Sequence, residues 1–207
     1  MVEFLTHSLH HSLPLGYSDI KVSTARRLEY DSEKNPGCTK VPDLTISEKN
    51  PQGTMQVIWV LEVGFSETYK ELKKDMELIF KAEGRENIQC ALVKITETPK
   101  YRCPISHEEE IDWKHPTPKD FHSQAEYGPI SYEDRQWVGT ISNIFWETWK
   151  FDDKTNKIRQ IGKRMVIHPA SPTSKKPLPL IRFDQILSNP PANISSPLLD
   201  WDIFEVR

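Results

Sequence analysis

The run MQVIWVLEV at 55–63 constrains the fold more than any other stretch. It has the length and the Val, Ile and Trp content of a buried strand, and falls far short of the roughly 20 apolar residues a membrane helix needs. Directly behind it the apolar period changes. Tyr69, Leu72, Met76, Ile79 and Phe80 recur at spacings of three and four, with Ser66 and Glu67 as a start signal and Gly84 as a stop, so an amphipathic helix of about four turns is expected. NIQCALVKI (87–95) then reads as a second buried strand. Strand, helix and strand in this order favour a parallel pair joined by a right-handed crossover. Upstream, VPDLTIS (41–47) alternates around β-formers and is joined to 55–63 by the turn-rich EKNPQG, which predicts a hairpin. The centre of the chain therefore reads β-β-α-β.

Further along, ISNIFWETWKF (141–151) and KIRQIGKRMVIH (157–168) form a candidate strand pair joined by the turn sequence DDKTN, and PLPLIRFDQIL (177–187) suggests a strand running into a short helix. Proline clusters at 99–129 and 169–197 mark loops. The expected class is α/β or α+β: one domain over 1–207, with a mixed central sheet and flanking helices, a core at about 25–95 plus 141–187, and an insertion at about 99–135. The first 16 residues lack the basic start and apolar centre of a secretory signal, so an intracellular protein, nuclear or cytoplasmic and without a membrane span, is expected. Cys38, Cys90 and Cys103 contain no CxxC pair and are read as free thiols.

A net charge of −3 conceals two opposed segments. Residues 105–135 carry eight acids against three bases and read as a solvated insertion. Residues 150–182 carry nine bases against Asp152 and Asp153, which would attract a polyanion; Lys154, Lys157, Arg159, Lys163 and Arg164 are the candidate nucleic-acid contacts. The plainer alternative is a basic hairpin on an ordinary surface.

Glu62 stands at the C-terminal end of the central strand, where open α/β sheets place their sites, and Asp43 lies on the neighbouring strand of the hairpin. If those strands pair antiparallel, the two carboxylates can face one way and share a divalent cation. Hard Mg²⁺ prefers carboxylate oxygens and keeps waters for substrate phosphates, which suits a phosphodiester site. Alternatively, Asp43 merely follows a turn-forming proline and Glu62 ends a strand.

Pro42-Asp43, the hairpin, Glu62-Val63-Gly64, the helix and LVKI together resemble the core of the PD-(D/E)XK, or restriction-endonuclease-like, nuclease superfamily. VPDLTI, VLEVGFSETYKELKKDM and ALVKI are more closely similar to uncharacterised fungal proteins with this core, and more distantly to bacterial Uma2-like domains. The likeness covers 40–95 well and 141–168 loosely. It implies a nuclease in which Asp43 and Glu62 hold Mg²⁺ or Mn²⁺. Its partner would be nucleic acid, DNA first, and the chain could act as a homodimer. The superfamily places a lysine two residues after the glutamate, where this chain has Gly64. Lys94, then Lys73, then Lys70 are the replacements to weigh, and Glu29 is the candidate for a further acid on a leading helix. The competing expectation is a degenerate module that binds nucleic acid or a protein and does no chemistry.

Other constellations carry less. His7, His10 and His11, or Cys103 with His107, lack the further partners a structural zinc site requires, and no phosphate loop, GxSxG or HExxH occurs. Trp146 and Trp149 are expected to straddle the sheet, with base stacking as the alternative.

Overall fold

The computed structural model describes residues 19–32, 35–82, 88–100, 102–105, 117–169 and 179–190, with single positions nearer the ends of the chain. His7, His10, His11, Gly84, Glu108, Glu109, Glu110, Asp112, His107, Lys175 and Lys176 lie outside the described residues. The strands are β1 (Ile20–Ser23), β2 (Leu28–Ser32), β3 (Asn35–Lys40), β4 (Leu44–Lys49), β5 (Met55–Gly64), β6 (Gln89–Thr98), β7 (His122–Ser123), β8 (Ile130–Tyr132), β9 (Arg135–Val138), β10 (Thr140–Asp152) and β11 (Lys157–His168). Helix α1 spans Tyr69–Ala82, and α2 is a single turn at Phe183–Ile186.

Among the described residues six strands form one mixed sheet in the order β1-β4-β5-β6-β10-β11. β4 and β5 pair antiparallel, whereas β5 and β6 pair parallel from Trp59↔Gln89 to Gly64↔Lys94. Parallel neighbours cannot be joined by a tight turn, so the chain crosses over through α1, whose apolar stripe must cover the sheet it leaves. Leu72, Met76, Ile79 and Phe80 of α1 pack on Val57, Val60, Cys90, Leu92 and Trp149. The opposite face buries Trp59, Leu61, Ala91, Val93, Ile144 and Trp146 under Leu9, Ile181, Phe183, Ile186 and Leu199, which come from the two ends of the chain. Trp146 and Trp149 thus fall on opposite faces; Trp146 stacks on Trp59 with ring centroids 6.3 Å apart.

Two expectations are corrected. Residues 117–138 of the insertion are not a bare solvated loop: a 3₁₀ turn at Pro118–Asp120 leads into the small antiparallel sheet β7-β8-β9. Its acids Glu133 and Asp134 both have positive φ, 48° and 58°, and form the two-residue turn between paired Tyr132 and Arg135, a conformation that matches the twist of a hairpin. Nor does Glu29 lie on a leading helix. It is exposed on β2, which pairs with β3 and sends Leu28 under α1. Among the described residues α1 is the sole helix longer than one turn, and none is long and apolar enough to cross a membrane.

Leu61 is fully buried in the face opposite α1, so Leu61→Ala should lower the free energy of unfolding in urea by about 2–5 kcal/mol. Val166→Ala, at a side chain 43% exposed on the edge strand, should change it by less than about 0.5 kcal/mol. Equal losses in the two variants would contradict the assigned core.

Candidate functional site

Side chains alternate across β5, so Val60 and Glu62 share the face that α1 covers. Glu62 is 5% exposed at the C-terminal end of that strand. Asp43 stands one residue before β4 and accepts the Val63 amide hydrogen on Oδ2 at 2.7 Å, which pins the mouth of the β4–β5 hairpin beside Glu62. The sequence-derived pair is thus brought together. Burial pushes the Glu62 carboxyl up to about 8; Lys40 opposes the rise, while Asp43 and then Asp75 add to it.

The nearest cation was missed by the sequence reading. Lys40, at the end of β3, places its ammonium 2.6 Å from Asp75 Oδ2 on α1 and 3.5 Å from Glu62 Oε2. Burial alone would pull the Lys40 amine down, but the hydrogen bond to Asp75 and the field of Glu62 outweigh it and the net shift is upward. Glu62 Oε1 is buried with no hydrogen-bond partner. An orphaned carboxylate oxygen beside a second carboxylate is where a cation gains most.

Lys94, the first of the replacement lysines, is engaged with backbone and not with Glu62. It lies opposite Gly64, two residues beyond Glu62's own partner Leu92, and its amine donates to the carbonyls of Ile95, Phe65 and Gly64 at 2.7, 2.9 and 3.3 Å. There it ties the end of β5 to β6. Lys73 sits over the Trp149 ring, 4.4 Å from its centroid, and Lys70 is exposed. The glycine at 64 has a steric cause: a Cβ there would come within 3.0 Å of Leu72 Cδ2 and Glu67 Oε1. The tips of the Glu67 and Leu72 side chains lean over the glycine, so a larger residue there would have to displace them.

A second buried carboxylate lies on the same face. Leu92 pairs with Glu62 on one side and with Glu147 on the other, which sets the two acids on either side of one leucine. Glu147 is fully served: it accepts from Arg164 Nε at 2.8 Å, the Tyr69 hydroxyl at 2.7 Å and Trp149 Nε1 at 3.1 Å. A glutamate between Trp146 and Trp149, in phase with Phe145 and Trp149, was the available signal for it. Of the other basic candidates, Arg159 pairs with Asp152 at 3.2 Å, and Lys154, Lys157 and Lys163 are exposed.

Among the described residues no three His, Cys, Asp or Glu side chains form a group that could hold a metal ion. Two carboxylates suffice for Mg²⁺ or Mn²⁺ that retains water in the rest of its shell, and the orphaned Oε1 of Glu62 supplies a vacant donor, so Asp43 and Glu62 fit such an ion. Comparison of the chain with protein families, with curated proteins and with solved structures finds no match.

The Glu62 carboxyl gives a signed pH dependence. Its folded-state value lies above the unfolded one, so its stabilising contribution is complete below about 4.5 and is lost as pH rises to about 8. Glu62→Gln cannot ionise. In chelator-treated protein the variant should therefore gain on wild type by about 2–4 kcal/mol between pH 5 and 8.5 in urea unfolding. A gap that stays constant over that range would contradict the buried, raised carboxyl.

Proposed function

We propose that this chain is a divalent-metal-dependent phosphodiesterase acting on nucleic acid, DNA first, on a restriction-endonuclease-like core. Asp43 and Glu62 are its metal ligands, and Lys40 takes the place of the lysine that is absent at Gly64. The observation that carries this reading is the Glu62 carboxylate, buried at a strand end beside Asp43 with one oxygen unpartnered and the Lys40 ammonium 3.5 Å from the other. A Mg²⁺ or Mn²⁺ ion supplies charge stabilisation at the phosphate and a more acidic water.

The chain's own residues do the rest. The Val63 amide fixes the Asp43 carboxylate, and the walls of the α1-covered face hold Glu62. Asp75 holds the Lys40 ammonium at the rim, where it can donate to a water or to a phosphoryl oxygen as negative charge develops. Lys94 keeps the β5 terminus in register and touches no reacting atom.

A second reading has support of its own. With a glycine at 64 and Lys94 committed to backbone carbonyls, the site lacks two possible lysines, which suits a scaffold retained for binding alone. Plasmid and single-strand cleavage with Mg²⁺ or Mn²⁺ at low salt separates the two. Asp43→Ala and Glu62→Ala should each abolish cutting, and Lys40→Ala should slow it by about 100-fold or more. Lys94→Gln, compared at equal folded fraction, should cut at close to the wild-type rate. Folded wild-type protein that binds DNA and cuts none would establish the second reading instead.

A further inference from the structure

Arg164 is held in a way that an ordinary surface arginine is not. Between the β10–β11 pairs Trp146↔Met165 and Thr148↔Ile161 the register slips, so residues 162–164 stand opposite Glu147 alone. Gly162 enters this bulge at φ +69°, and a Cβ there would meet nothing within 4 Å, so the glycine serves the backbone turn and not a close contact. Bulges of this kind re-aim a side chain. Here the bulge turns Arg164 inward over the sheet: its guanidinium lies 3.9 Å from the Phe145 ring centroid and 5.0 Å from that of Tyr69, while Nε donates to Glu147, whose side chain is 2% exposed. The Arg164 side chain itself stays 43% exposed. Nε is anchored on Glu147, the guanidinium lies over the Phe145 ring, and part of the side chain meets solvent.

The anchor lies on the α1-covered face, one leucine away from Glu62 across the sheet. Two strand spacings separate the acids, about 10 Å. A planar, pre-oriented guanidinium matches a phosphate by two parallel hydrogen bonds, and holding it beforehand reduces the ordering cost on binding. Lys157 and Lys163, exposed on the same strand, add positive charge nearby.

We infer that Arg164, positioned by Glu147 and the Phe145 ring, is a backbone-phosphate clamp that holds nucleic acid beside the Asp43–Glu62 site. This rests on the reading that the ligand is nucleic acid; it does not require that the site cut it.

Binding of short labelled DNA, duplex and single-stranded, is therefore measured by fluorescence anisotropy without divalent metal, between about 50 and 200 mM salt. Arg164→Gln should weaken binding about tenfold and make the dependence of log K on log salt shallower by about 0.9 for duplex, the loss of one phosphate contact. Arg164→Lys should keep the slope and lose part of the affinity, because a point-like ammonium lacks the planar fork that pairs with a phosphate by two parallel hydrogen bonds. Glu147→Gln should weaken binding with the slope retained at high occupancy. A variant that merely unfolds in part lowers the binding-competent fraction and leaves the slope unchanged, so weaker binding by Arg164→Gln at an unaltered slope would overturn the clamp. Wild-type binding to polyglutamate and not to DNA would overturn it in favour of an acidic protein partner. Absence of cleavage with these binding results intact would count against the catalytic reading alone.

Discussion

The parallel pairing of β5 with β6 is the constraint on which the rest of the structure depends. It forces the crossover through α1, the helix must bury one face of the sheet, and the pairing register decides what lies beneath it. That register lines up Glu62, Leu92 and Glu147 across three strands. Two carboxylates are thereby taken out of water in a single row, and each must find partners or carry a large desolvation cost.

The fold meets that cost differently at the two positions. Glu147 receives three donors, from a tyrosine, a tryptophan and an arginine, and becomes a rigid anchor. Glu62 receives one distant ammonium and keeps an orphaned oxygen, so burial drives its carboxyl up toward neutrality. A satisfied buried acid organises its surroundings. An unsatisfied one beside a second carboxylate is the donor that the proposed function assigns to a cation, and that asymmetry sets the proposed chemistry at Glu62 and the positioning at Glu147.

The elements whose residues carry their own period were legible in the sequence: the β4–β5 hairpin, α1 with its spacing of three and four, β6, and the β10–β11 pair. Asp43 and Glu62 were legible because each sits at a strand end next to a turn or helix signal. Lys40 was not, because NPGCTK has no apolar period and its contacts reach 22 and 35 residues along the chain, to Glu62 and Asp75. Lys94 ranks first in the sequence among the replacements for the missing lysine, but the pairing sets it two residues beyond Glu62's partner, opposite Gly64. The small β7-β8-β9 sheet hid behind its charge, since Glu133 and Asp134 read as solvated acids and the positive φ values they adopt are a turn property. The sequence singles out Arg164 only as one of five candidate nucleic-acid contacts, because the bulge that turns it inward depends on the partner strand.

The central claim is that Asp43 and Glu62 together hold a divalent cation, and Mn²⁺ binding followed by electron paramagnetic resonance tests it most directly. The account predicts saturable binding to the wild-type chain that is lost in Asp43→Ala and in Glu62→Gln and retained in Lys94→Gln. Binding that is absent from folded wild-type protein, or that survives both carboxylate substitutions, would contradict it.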